Sequence, residues 1–174
     1  EIKEGDFVTI IGGNGSGKST LMNAIAGAIT LDSGTIKIAG KDVTKLPEYK
    51  RAAYLGRVFQ DPNMGTASQM NIEENMMLAT RRTKKKTLKW GFNKEDREVC
   101  VNKLKSLNLG LENRLEQKVG LLSGGQRQAV TLLMATIQRP DILLLDEHTA
   151  ALDPKTAKVV LELTSKIVEE EKIT

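Results

Sequence analysis

The residues with the clearest chemical potential are Gly12 to Thr20, GGNGSGKST, which satisfy the spacing G-x-x-x-x-G-K-[ST]. That spacing suits a triphosphate. Gly12, Gly13, Gly15 and Gly17 let backbone N–H groups close around phosphate oxygens, and Asn14, Ser16 and Thr20 belong to the same cradle. Lys18 reaches the β and γ oxygens, and Ser19 offers its hydroxyl to Mg²⁺. The alternative is a glycine-rich turn with a stray lysine. A dinucleotide fingerprint does not fit, since no G-x-G-x-x-G can be laid over these glycines.

A second chemical group closes the run ILLLDE, Ile142 to Glu147. An acid directly after four apolar residues sits at the mouth of a buried strand. Asp146 is placed to hold Mg²⁺ through its water shell, and Glu147 to orient an attacking water and accept its proton. The alternative is a pair of acids that merely cap a strand and begin a turn.

These groups need elements to hold them, and the apolar pattern supplies strands alternating with helices. FVTII, Phe7 to Ile11, reads as a buried parallel strand, and KSTLMNAIAGAI follows with helical spacing through Leu21, Ile25 and Ile29. TIKIAGKDV predicts strand, turn, strand around Gly40, and YLGRVFQ a further strand ending at Gln60. From Asn71 to about Leu115 the pattern is helical and charged, with Cys100, Leu104, Leu107 and Leu111 on one stripe. GGQRQAVTLLMATIQ predicts a helix stopped by Pro140, ILLLDE a strand, and PKTAKVVLELTSKIVEE an amphipathic helix opened by proline. Such alternation indicates a parallel sheet.

The 174 residues suit one domain, and 40% hydrophobic with 28% charged content reads as soluble and globular. No apolar run approaches the roughly 20 residues a spanning helix needs, which with the single cysteine points to a cytosolic, reducing setting. The net charge of +4 is local: Arg81, Arg82, Lys84, Lys85, Lys86 and Lys89 contribute six charges, and without them the balance is 4 − 6 = −2. That cluster reads as a solvated loop or helix end, against contact with anionic lipid headgroups or nucleic acid, of which lipid is kept as the alternative.

Taken in order, GGNGSGKST, VFQDP, LSGGQ, ILLLDE and AALD resemble the nucleotide-binding domain of ATP-binding cassette (ABC) ATPases over nearly the whole chain. The resemblance implies an α/β P-loop NTPase (RecA-like) fold, with a parallel-sheet core, an antiparallel β element and an inserted helical subdomain. It divides the chain into core residues 1–68, a helical subdomain 69–122, and 123–174 with the signature helix and the rest of the core. Ser123, Gly124, Gly125 and Gln126 of LSGGQ are implied to meet the γ-phosphate of ATP held by a second, facing copy. The physics agrees, because a helix opening there presents free N–H groups and a positive dipole end to an anion. Gln60 is implied to touch Mg²⁺ and water and to move with the helical block, and Ala151, Leu152 and Asp153 to lie in a dimer-contact loop.

By the same resemblance the chain is an ATPase subunit of a membrane transporter, peripheral on the cytoplasmic face. Two such domains would close on ATP and Mg²⁺, most simply as a homodimer, together with a permease and, for an importer, a solute-binding protein; nucleic acid is not expected. DEHTAALDPKTA is similar to importers of small solutes such as amino acids. The alternatives are a soluble non-transport ABC ATPase acting on ribosomes or nucleic acid, and a P-loop binding module without turnover. The sequence departs from the family at His148, where proline is usual. His148 reads as a structural turn residue, with a dimer-contact or γ-phosphate role as the alternative. The family's adenine-stacking aromatic precedes Glu1 and its switch histidine follows EEEKIT, so the expectation for this stretch alone is nucleotide binding with slow turnover. Cys100 is expected in a core. Met64, Met70, Met76 and Met77 are expected to pack inside, the alternative being the groove for a permease helix.

Overall fold

The computed structural model describes residues 1–82 and 94–174. The chain forms α1 (Lys18–Ala26), β1 (Lys37–Ile38), β2 (Lys41–Asp42), α2 (Glu48–Arg51), β3 (Leu55–Val58), α3 (Ile72–Thr80), α4 (Lys94–Ser106), α5 (Gly124–Thr136), β4 (Ile142–Leu145) and α6 (Pro154–Glu171). Within the basic cluster, Lys84, Lys85, Lys86 and Lys89 lie outside the described residues. No helix among the described residues is long and apolar enough to cross a membrane.

β3 and β4 pair in parallel, with Leu55 opposite Ile142 and Val58 opposite Leu145. Period-two alternation sends Leu55 and Leu144 to one face, where they pack with Ala26, Ile38 and Val43, and Val58 and Leu143 to the other, against Leu132, Ala135 and Ile173. The pair therefore has α1 on one side and α5 with α6 on the other. β1 and β2 form a separate antiparallel hairpin, turned by Ala39 and Gly40, both at positive φ. A third cluster joins α3, α4 and α5 through Ile72, Met76, Cys100, Leu104, Leu107, Leu111 and Leu133.

The expected stripe from Cys100 to Leu111 is buried throughout. Burial, then Asp96 and Glu73, pushes the Cys100 thiol up to about 11, so it stays protonated and packs as a small apolar group. The methionines divide: Met76 is buried, whereas Met64 is exposed.

The expected first strand differs. Phe7 to Ile11 adopts no paired strand, with Phe7 73% and Ile11 90% exposed. Its backbone pairs with no strand among the described residues, and β4 joins β3 on one edge while its other edge carries a backbone bond to Thr174. Asp146 N–H donates to Val58 O at 3.1 Å along β3, and Leu143 N–H donates to Thr174 O at 2.8 Å on the other edge. A cavity of about 360 Å³ lies between residues 6–10 and β4.

Among the described residues Arg51 is the most deeply buried cation. Arg51, 2% exposed, donates from Nη1 to Ala24 O (2.7 Å) and Ile25 O (2.9 Å), from Nε to Leu46 O (2.8 Å) and from Nη2 to Thr44 O (2.8 Å). Ala24 and Ile25 end α1, where the helix dipole is negative, so the guanidinium is balanced by carbonyls. A Cβ at Gly27 would come within 2.7 Å of Arg51 Nε, which excludes any side chain there.

His148 is also buried, 7% exposed. The Thr164 hydroxyl donates to Val160 O (2.8 Å), which leaves its oxygen to accept from His148 Nε2–H at 3.2 Å. The expected structural role thus matches its packing on α6. Burial holds the imidazole below its usual value.

Two outcomes follow. Arg51→Met strips four carbonyls of their charged donor and should lower the free energy of unfolding by roughly 2–4 kcal/mol, read from denaturant melts. For His148, the folded state binds a proton less readily than the unfolded chain, whose imidazole titrates near about 6.5. Stability should therefore fall as pH drops through that value toward the lower folded one. His148→Gln should flatten this segment of a thermal-melt pH series.

Candidate nucleotide site

Gly17 stands at the N-cap of α1 with φ +90°, a conformation open to glycine, and Gly15 has φ +81°. These turns present Gly12 to Thr20 as an exposed loop feeding the positive end of a helix. Lys18 folds back over it, and Nζ donates to Gly12 O (2.8 Å) and Gly13 O (3.0 Å). An incoming phosphate would exchange for these carbonyls.

The parallel register delivers the acids. Lys18, Asp146, Glu147 and His148 all line the cavity between residues 6–10 and β4, together with Met22 and Ile25 of α1. The basic group of the glycine loop and the acidic pair are thereby brought to one site. Glu147 has φ +42°, costly for a residue with a side chain, and a backbone so held is typical of functional positions. Asp146 Oδ2 lies 3.5 Å from Arg57 Nη2, an ion pair that the sequence reading missed, although a charged residue inside YLGRVFQ was a usable signal.

Among the described residues no group of three or more His, Cys, Asp and Glu could hold a metal. Of the three expected Mg²⁺ donors, the Asp146 carboxylate lines the cavity, whereas the Ser19 hydroxyl and the Gln60 amide do not. Such a sparse oxygen set fits Mg²⁺ that arrives with phosphate oxygens and waters already in its octahedron.

Gln60 is exposed and does not line that cavity, but its loop is tied to α5. Gln128 Nε2 donates to Phe59 O (3.2 Å), Arg127 Nη1 bonds Asn63 Oδ1, and Arg127 Nη2 donates to Gly120 O (2.8 Å). Both residues follow the LSGGQ stretch, which the sequence reading used without them.

Ser123 is the N-cap of α5, in a capping box: its hydroxyl accepts from Gln126 N–H (3.3 Å), and Gln126 Oε1 accepts from Ser123 N–H (3.2 Å). The stretch stands apart from the Lys18 cavity within one copy. A Cβ at Gly125 would meet Thr156 Cγ2 at 2.0 Å, and one at Gly124 would meet Leu152 Cδ2 at 3.3 Å. The start of α5 is thus pressed against the Ala151–Asp153 loop. Asp153 caps α6, accepting from Thr156 N–H at 3.1 Å, and this bonding holds its carboxyl below the usual range.

The chain is 48% identical over 174 residues to a tyrosine transport ATP-binding protein of Clostridioides difficile, covering all of this chain and 69% of that protein. It is 38% identical over 177 residues to a methionine import ATP-binding protein of Clostridium tetani, covering all of this chain and 52% of the relative. Among solved structures, a dimeric bacterial ABC transporter cassette superposes with a TM-score of 0.80 at 32% identity, over 100% of this chain and 74% of that one. A cassette of Clostridium perfringens, part of an ABC transporter complex, gives 0.80 at 30% identity, over 99% and 66%. The family model for ABC transporters matches residues 1–150, and with a P-loop NTPase fold that agrees, this chain belongs to the ABC transporter family as an ATP-binding cassette.

Proposed function

We propose that this cassette binds and hydrolyses ATP to drive solute uptake through a membrane permease. The observation that carries this reading is the shared cavity of Lys18, Asp146 and Glu147 at the end of the parallel strand pair. Gly12 to Thr20 hold the phosphates with their N–H groups, and Lys18 exchanges its carbonyl partners for β and γ oxygens. Asp146, Ser19 and Gln60 would hold Mg²⁺, which when bound would neutralise phosphate charge. Glu147 takes a proton from water as the water oxygen bonds the γ-phosphorus. The bond from that phosphorus to the bridging oxygen breaks, and ADP leaves with phosphate.

The capped start of α5 supports a role in trans. Ser123 to Gln126 lie apart from their own copy's cavity, on a surface shared with Ala151 to Asp153, so a facing copy could present them to the γ-phosphate. The dimeric cassette relative supports that arrangement. The ties from Arg127 and Gln128 couple the signature helix to the Gln60 loop, and α3 and α4 of the helical subdomain pack on that same helix, which gives the subdomain a route to the loop.

The transport-protein relatives favour an importer of small solutes, with amino acids as the leading class. Attachment to the cytoplasmic side of the membrane would come through the permease, with a solute-binding protein on the far side.

Lys18→Ala should weaken ATP binding about 10- to 100-fold in a titration, as expected for loss of a charge-assisted contact. Wild-type affinity would overturn the phosphate-loop assignment. Glu147→Gln should keep ATP affinity near wild type and cut phosphate release by about 10²- to 10⁴-fold. An undiminished rate would remove Glu147 from the chemistry.

A further inference from the structure

Arg57 occupies an unusual position. Register places it opposite Leu144 in the middle of β3, and alternation turns it to the face on which α1 packs, the same face as Asp146. A guanidinium on an otherwise apolar strand face is costly to desolvate. Its side chain is only 12% exposed, its Nε is buried without a hydrogen-bond partner, and its carbon Cζ sits 4.6 Å from the centre of the Phe59 ring. The single contact to Asp146, at 3.5 Å, is neither bidentate nor short, so it is electrostatic and readily exchanged.

We propose that Arg57 is a built-in stand-in cation for Asp146, which neutralises the carboxylate until Mg²⁺ arrives with the nucleotide and must be displaced from it. Arg57 is then a positioning residue that sets how much Mg²⁺ the site requires. Lys18 makes no such contact in this structure, where its ammonium donates to the carbonyls of Gly12 and Gly13. The Phe59 ring gives the guanidinium a face to remain on once the carboxylate is taken. This inference rests on the reading of Asp146 as the metal-side carboxylate.

The test measures binding of a fluorescent ATP analogue as Mg²⁺ is titrated, and again in EDTA. Arg57→Gln should lower the Mg²⁺ concentration for half-maximal binding about two- to fivefold, the range for a partly exposed ion pair. Arg57→Met, which keeps the apolar stem, should do the same if the Gln variant folds poorly, and Arg57→Lys should retain wild-type demand. Binding in EDTA should be unchanged, and Arg57→Gln should have no effect on an Asp146→Asn background. Unaltered or increased Mg²⁺ demand in the Gln and Met variants, with Asp146→Asn raising it, would overturn the role of Arg57 alone. Weaker binding in EDTA would make Arg57 a direct nucleotide contact and also overturn it. Wild-type Mg²⁺ demand in Asp146→Asn would overturn the metal assignment beneath it.

Discussion

A charge with no counter-ion among the described residues, Arg51, sits where the glycine-loop helix meets the rest of the chain. Its guanidinium collects carbonyls from the end of α1 and from the segment after β2, joining pieces far apart in sequence. The loop from Gly12 to Thr20 is positioned by α1, and α1 is fixed at its other end by this cation. The antiparallel hairpin is drawn to the same face, where Ile38 and Val43 pack on Leu55 and Leu144. The glycine loop is thus held in place through a side chain that lies outside it.

On the opposite face the constraint is closeness. A Cβ at Gly56 would lie 2.5 Å from Ala135 O, so α5 rests directly on β3. Since α5 begins at LSGGQ and β3 leads to Gln60, this close seat joins two motifs that are over 60 residues apart. The hydrogen bonds of Gln128 to Phe59 O and of Arg127 to Asn63 then secure the loop from both flanks.

Much of this was legible in the residues. The glycine loop, the acidic pair, β3, β4, the proline-opened α6 and the Cys100 stripe follow from local spacing and period, which need no knowledge of distant partners. What escaped was non-local. Arg51 and Arg57 acquire meaning from carbonyls and a carboxylate brought in by folding, and composition shows neither. Phe7 to Ile11 has the pattern of a buried strand but remains exposed and unpaired, because apolar pattern specifies a tendency that only a pairing partner completes.

The parallel register has a consequence for how such a chain can vary in length. Val58 faces Leu145, so Gln60 and Glu147 each stand two steps past the same rung. Deleting one residue from β3 would turn Arg57 to the α5 face and draw Gln60 back by about 3.3 Å. An added residue in the loop between the turn near Gly65 and α3 would disturb neither. Insertions and deletions should therefore be purged from β3 and β4, which makes strand length, more than strand composition, the feature that drift cannot alter.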